Sequence, residues 1–261
     1  MDRSFPAVID YEQRGHVAVL TINRPEARNA VNGAVASGLE EAIDKVEADD
    51  DTWVVVLTGA GTVFSAGADL KEISSGNAGG LQTERGGFAG FVRRDRTKPV
   101  IAAVDGPALA GGCEIVLACD LVVASSNARF GVPEVKRSLA AAAGGLFRLP
   151  QMLPPRIAME LVLTGDPIEA DRAYQFGLVN RLVDPGKAVD GAVELAEAIC
   201  VNAPLAVRES RKVVLAALKQ HNDDELWTMS AMAMGNLMRT EDFAEGPRAF
   251  IEKRAPQWKA R

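Results

Sequence analysis

Two apolar runs, WVVVLTG at 53–59 and KPVIAAVDG at 98–106, restrict the possible folds more than any other feature of the chain. A strand that alternates apolar and polar residues has one wet face. A run of consecutive apolar residues closed by glycine reads as a strand buried on both faces, as in parallel sheets. Both runs pass into small-residue turns, FSAGAD (64–69) and GPALAGGCE (106–114), that lead into helix-like sequence. VIDYEQ and HVAVLTI, with Gly15 between them, read as an opening hairpin, and DLVVASSNARFG supplies two more short strands. Strand, turn and helix recur in this way to about residue 185. The expected fold class is therefore α/β, built from repeated ββα units rather than separate domains.

The connecting segments carry their own signals. Val31, Val35, Leu39, Ala42 and Val46 fall at steps of three and four and predict one apolar helix face. Glu40, Glu41, Asp44 and Glu47 predict its wet side. NRPEARNAVN reads as a loop, and GNAGGLQTERGG (76–87) is expected to be mobile. After Pro185 the pattern becomes helical at 187–202, 204–221 and 223–239, with FAEGPRAFIEKR closing the series. This divides the chain into a core of 1–200 and a helical C-terminal region of 201–261. No repeat of fixed period is present, and AAAA at 140–143 is the one low-complexity stretch.

Charge and residue supply exclude several chemistries. The formal net charge is −6, with no basic stripe to neutralise phosphates, so nucleic acid is not an expected partner. No apolar stretch approaches the roughly 20 residues of a membrane span. MDRSFPAVIDYEQ has no signal-peptide core and is too acidic for a transit peptide, and the three cysteines have no metal spacing. Free thiols in a reducing, cytoplasmic setting are expected. His16 and His221 lack a nearby ligand set, so no metal site is expected. GxxxxGK[ST] is absent, and no GxGxxG follows a strand.

Glycine loops and carboxylates remain. Each small-residue turn stands at the C-terminal end of a buried strand, where open α/β folds place ligands. One backbone N–H from each loop would form an oxyanion hole; either loop taken singly is also a plausible tight connection. Glu114 stands among Cys113, Ile115, Val116, Leu117 and Ala118, which implies burial. Burial raises a carboxyl pKa and a helix N-terminus lowers it, so the two influences oppose one another at Glu114. Glu134, in ARFGVPEVKRSL, is either a surface partner of Lys136 or Arg137 or the second member of an acid/base couple. Such a couple could add one water across a polarised double bond.

These motifs in order resemble the crotonase (enoyl-CoA hydratase/isomerase) superfamily, from about Val8 to Lys253. NRPEARNAVN resembles its first CoA-facing loop, FSAGADLKE and GPALAGGCEIVLACD its two oxyanion-hole loops, and ARFGVPEV the segment of its second acid. LTGDPIEADRAYQFGLVNRLV and PRAFIEKRAP resemble later signatures. The resemblance implies a crotonase-like spiral of ββα repeats, and a C-terminal helical region that forms a homo-trimer or a dimer of trimers. It implies that the N–H groups of Ala68 and Gly111 grip a thioester oxygen. Glu114 would activate water for attack on C3, and Glu134 would exchange a proton with C2. Arg24, Arg28, Ala66, Asp69, Leu70, Lys71 and Lys253 would hold CoA, the last from a neighbouring subunit. The substrate would be an acyl-CoA thioester, with no cofactor beyond its CoA.

One departure bears on substrate. Typical hydratases read something like LGxxPGxGGTQRL after the second acid, and this chain reads KRSLAAAAGGLFRL (136–149). Gly144, Gly145 and Arg148 are kept, while the Pro-Gly and Thr-Gln pairs are replaced. A specialised member such as a carnitinyl-CoA-type dehydratase, or an enoyl-CoA isomerase, is the alternative within the family. A CoA-binding protein with little catalysis is the alternative outside it. One branch of the superfamily binds RNA through a lysine-rich first helix. EEAIDKVEADDD (40–51) has only Lys45 among its acids and would repel phosphate.

Overall fold

A computed structural model describes residues 8–218 and 222–261. Residues 1–7, where the N-terminal reading begins, and His221 lie outside the described residues.

The strands are β1 (Ile9–Arg14), β2 (Val17–Ile22), β3 (Val54–Gly59), β4 (Gln82–Thr83), β5 (Gly87–Phe88), β6 (Val100–Val104), β7 (Pro107–Leu109), β8 (Leu121–Ser125), β9 (Arg129–Gly131), β10 (Ile168–Glu169) and β11 (Arg181–Val183). The helices are α1 (Gly33–Ala48), α2 (Leu70–Ser74), α3 (Gly111–Ala118), α4 (Gly145–Met152), α5 (Pro155–Thr164), α6 (Ala170–Gln175), α7 (Ala188–Cys200), α8 (Pro204–Ala217), α9 (Asp223–Leu237) and α10 (Glu241–Glu252).

The main sheet runs β1-β2-β3-β6-β8-β11. The β1–β2 hairpin is antiparallel, and every later pair in this sheet is parallel. A second, smaller sheet, β10-β9-β7, lies beside it. The chain alternates between the two sheets. β6 joins the main sheet and β7 the small one, and β8 and β9 repeat the move. Isolated parallel bridges, Val31 with Ala68 and Ser65 with Ala108, extend the small layer toward earlier turns. The result is a spiral of strand, short strand and helix.

The apolar runs have the burial they implied. Val55 and Leu57 face one core cluster, together with Val100, Ala102 and the apolar face of α1. Val54 and Val56 face the other cluster, with Ile101, Ala103 and residues of α7. Two-residue periodicity with both faces covered explains why these strands are apolar but for Thr58, whose hydroxyl donates to the Ala103 carbonyl (2.8 Å). The C-terminal helices are tied back to this core. The Arg211 guanidinium of α8 donates to Asp120 (2.9 Å), and Trp258 Nε1 donates to the Val201 carbonyl (2.9 Å).

Two local expectations are corrected. Val31 is not on α1, because Asn32 caps that helix by accepting a hydrogen bond from the Val35 N–H. Val31 bridges Ala68 instead. Residues 76–87, expected to be mobile, fold as a 3-10 turn over Ala78–Leu81 followed by the β4–β5 hairpin. The hairpin is pinned onto α1, with Thr83 Oγ1 donating to Glu40 and Arg85 paired with Asp44. Its glycines supply a tight turn, with Gly87 at φ +64, rather than slack.

Candidate active site

The Ala68 loop is set by its flanking residues. The Val31 N–H donates to the Gly67 carbonyl, and the Asp69 N–H donates to the Val31 carbonyl, both at 2.8 Å. Alternation along an extended strand then turns the Ala68 N–H away from Val31. Ala68 lines the main cavity, and its N–H donates to no described residue. Ser65 stiffens the loop from beneath: its hydroxyl donates to the Asn29 carbonyl (2.8 Å) and accepts from the Gly67 N–H (3.2 Å).

The Gly111 N–H is one of the unsatisfied donors at the start of α3. It too has no acceptor among the described residues. Ala110 precedes it at φ 52, ψ −129, a sparsely populated backbone geometry that aims this donor. Glycine lets the two loops touch. A Cβ on Gly67 would stand 2.7 Å from the Gly111 nitrogen, and one on Gly112 would stand 2.2 Å from the Ser65 carbonyl oxygen. Two free N–H groups therefore converge on one wall of the cavity.

Glu114 follows on the first turn of α3 and is 3% exposed. One carboxylate oxygen accepts a 2.9 Å hydrogen bond from the Gly145 N–H. Burial raises its pKa to about 7, against the Gly145 and Ala143 N–H groups and the Arg148 charge, while the Glu134 charge adds to the rise. Burial therefore wins the contest that the sequence left open. Glu134 stands on a 3-10 turn, Pro133–Arg137, in the same cavity. Its pKa is also raised, mainly by burial, and its Oε2 is buried without a hydrogen-bond partner. Neither surface ion pair is made: Lys136 bonds to Asp166, and Arg137 reaches Glu134 only through its charge, which opposes the rise.

The cavity is ≈ 1380 Å³, larger than a typical small-ligand pocket of roughly 300–1,000 Å³. Arg24, Arg28, Ala66, Asp69, Leu70 and Lys71 line it together with the two donors and both glutamates. Asp69 accepts from the Lys71 N–H as the cap of α2 and pairs with Arg24 at 3.3 Å, so its carboxylate has protein partners. Lys253 does not line this cavity; it is the left-handed residue closing α10, at φ 52. Sequence reasoning missed Phe88, Val92 and Arg93, which the 82–93 segment brings to the cavity. Only the glycines flanking that hairpin hinted that the segment turns back.

Other reactive groups are accounted for by packing. His16 stacks on Trp53 at 3.6 Å, and its Nδ1 contacts the Asp51 carbonyl at 2.7 Å. Burial pushes the Cys113 and Cys119 thiols up to about 12. Among the described residues no cluster of His, Cys, Asp and Glu could hold a metal ion, and no helix is long and apolar enough to cross a membrane.

Comparison with known proteins adds an independent finding. The family model for enoyl-CoA hydratase/isomerase matches residues 12–261. A mevalonyl-coenzyme A hydratase of Aspergillus fumigatus is 42% identical, over 94% of this chain and 92% of its own length. The crystal structure of an enoyl-CoA hydratase from Mycobacterium tuberculosis superposes with a TM-score of 0.93 at 44% identity, covering 97% of this chain and 99% of that one. A carnitinyl-CoA dehydratase structure from Mycobacterium avium reaches 0.77 at 48% identity, with the same coverage.

Proposed function

The chain belongs to the enoyl-CoA hydratase/isomerase family, and from that premise we propose that it is a hydro-lyase that adds water reversibly across the 2,3 double bond of a 2-enoyl-CoA. The observation that carries this reading is the placement of two carboxyls, Glu114 and Glu134, in one cavity with the free Ala68 and Gly111 N–H groups.

The N–H groups of Ala68 and Gly111 receive the thioester oxygen and stabilise the charge that develops on it as an enolate forms. One such donor is worth about 3–4 kcal/mol in other enzymes. Glu114, as carboxylate, takes a proton from water while the water oxygen bonds to C3. Glu134, as carboxylic acid, gives its proton to C2 as the enolate collapses to the thioester. Dehydration reverses each transfer. After one turnover Glu114 holds the proton and Glu134 lacks it, and exchange through solvent resets the pair. These transfers need no metal or cofactor beyond the CoA of the substrate. Arg28 and Lys71 offer positive charge to the CoA phosphates, with the backbone at Ala66–Leu70 against the adenine.

The assembly is a homo-trimer or a dimer of trimers, supported by the exposed apolar side chains Trp227, Met232, Phe250 and Ile251 on α9 and α10. Lys253 would then serve a neighbouring cavity. Three free thiols support a cytoplasmic location. The second reading, a carnitinyl-CoA-type dehydratase, draws on the Mycobacterium avium likeness and the altered 136–149 segment.

Hydration of crotonyl-CoA, followed by loss of the conjugated thioester absorbance, tests the reading. The wild type is expected to turn over, and Glu134→Gln to lose on the order of 10²–10⁴-fold in rate. Equal, background rates in both proteins would leave only a CoA-binding protein.

A further inference from the structure

The cavity has two ends on either side of the oxyanion donors. Arg24 and Arg28, on the loop after β2, and Lys71, on α2, stand at one end beside the Ala66–Asp69 loop, which Arg28 bonds through its carbonyl and Arg24 through Asp69. At the other end, the 82–93 segment faces the 139–148 segment. Phe88 marks the boundary, because a Cβ on Gly111 would stand 2.4 Å from its ring.

This second end is apolar in its walls and cationic in its polar groups. Leu139, Ala140, Val92 and Phe147 provide the walls. Arg148 clamps the two segments together, donating to the Val92 carbonyl (2.6 Å) and the Ala143 carbonyl (3.3 Å). Its guanidinium also lies 5.2 Å from the centre of the Phe147 ring. Arg93 is the next residue after the clamped Val92 carbonyl and also lines the cavity. Its aliphatic stem packs where a Cβ on Gly87 would sit, 2.8 Å from Cγ and Cδ. Its guanidinium makes no ion pair or hydrogen bond with any described residue. The acids lining this part of the cavity are Glu114 and Glu134, at the reacting centre.

We propose that Arg93 is the specificity-determining residue of this end, selecting acyl thioesters whose chain terminates in a carboxylate. The proposal rests on the hydratase reading in taking this end as the acyl end. A guanidinium on an anchored backbone presents a donor fork that matches a carboxylate, and charge-assisted bonds of this type are the strong ones. A chain ending in a quaternary ammonium meets the opposite situation. It would need an aromatic face; the Phe147 face already carries Arg148, the Phe88 ring packs against Gly111, and Arg93 adds a like charge. The same argument separates this chain's substrate from a carnitinyl-type thioester.

Binding of unreactive, saturated thioesters tests this independently of catalysis. Calorimetric titration would compare glutaryl-CoA, valeryl-CoA and 4-(trimethylammonio)butyryl-CoA. The wild type is expected to bind glutaryl-CoA roughly tenfold more tightly than valeryl-CoA, and the ammonium thioester most weakly. Arg93→Gln should remove the glutaryl preference, and Arg93→Glu should place the ammonium thioester above glutaryl-CoA. Equal wild-type affinity for glutaryl-CoA and valeryl-CoA overturns the proposal, as does a glutaryl preference that survives Arg93→Gln. Wild-type hydration of crotonyl-CoA, measured in parallel, reports on the hydratase reading alone.

Discussion

Glu114 and Glu134 face the same cavity from supports of opposite kinds. Glu114 stands on α3, whose Cys113, Ile115, Val116 and Leu117 are all buried. Its carboxylate is tied to the Gly145 N–H. Glu134 stands on a five-residue 3-10 turn with no fully buried member, and one of its oxygens has no partner at all. One carboxyl is fixed by packing. The other is placed by a proline-started turn and keeps a valence for the substrate. Burial raises both pKa values; the Gly145 and Ala143 N–H groups limit the rise at Glu114, and at Glu134 its own backbone N–H and the Arg137 charge do so. An acid/base pair needs this asymmetry of support, with one member holding water in register and the other following the carbon it protonates.

The comparison is broken most directly by neutralising each member. Glu114→Gln and Glu134→Gln should each reduce kcat for crotonyl-CoA by about 10²–10⁴-fold, and the double variant should lose little more than the worse single variant. Additive losses would mean that the two carboxyls act independently. The pH profile reads the same coupling. The active pair carries one proton, so kcat/KM should fall both below and above neutral pH, with macroscopic values belonging to the pair. A profile flat from about pH 5 to about pH 9 would contradict it.

A smaller effect is on stability. The Glu114 pKa of about 7 lies above the ordinary 4.5. Between these values the folded state binds more proton than the unfolded state. Stability contributed by Glu114 is therefore full below about pH 4.5 and is lost as pH rises through about 7. The loss is on the order of 3 kcal/mol. Urea melts of wild type and Glu114→Gln at acid and mildly alkaline pH should show a wild-type decline that the variant lacks. The smallest contrasts test the supports themselves. Gly145→Ala places a Cβ 3.2 Å from a Glu114 oxygen and 2.9 Å from the Ala141 Cβ. It should destabilise the protein by about 1–3 kcal/mol. Pro133→Ala, beside Glu134, should cost under about 1 kcal/mol, through unfolded-state entropy. Equal shifts in Tm would erase the distinction between a packed support and a turn.

The parts legible in the sequence are those in which one residue type has one reason to be there. Apolar runs without a polar break gave β3 and β6, and a lone Glu in an apolar helix gave Glu114. Val31 misled because the apolar spacing continues straight through the Asn32 cap, and spacing alone does not mark where a helix starts. The β4–β5 hairpin was hidden because glycines that form tight turns look the same as glycines that provide slack. The direction of the Glu114 pKa was hidden because it depends on how many N–H groups reach the carboxylate, and the bonding one belongs to Gly145 at a distant point of the chain. Arg148 could be read as retained. Its grip on the Val92 carbonyl, and hence the placing of Arg93, depends on a contact between segments far apart in sequence.

The bridge between Ser65 and Ala108 has a further consequence. Ala68 and Gly111 each stand three residues beyond that parallel bridge. The bridge holds the two chains at the interval between neighbouring strands, about 4.8 Å, just before the donors, and backbone hydrogen bonding sets that interval without reference to side chains. Walls and charges around the site can drift through many substitutions while this gauge stays constant. One scaffold can therefore exchange acyl groups and keep the same grip on a thioester.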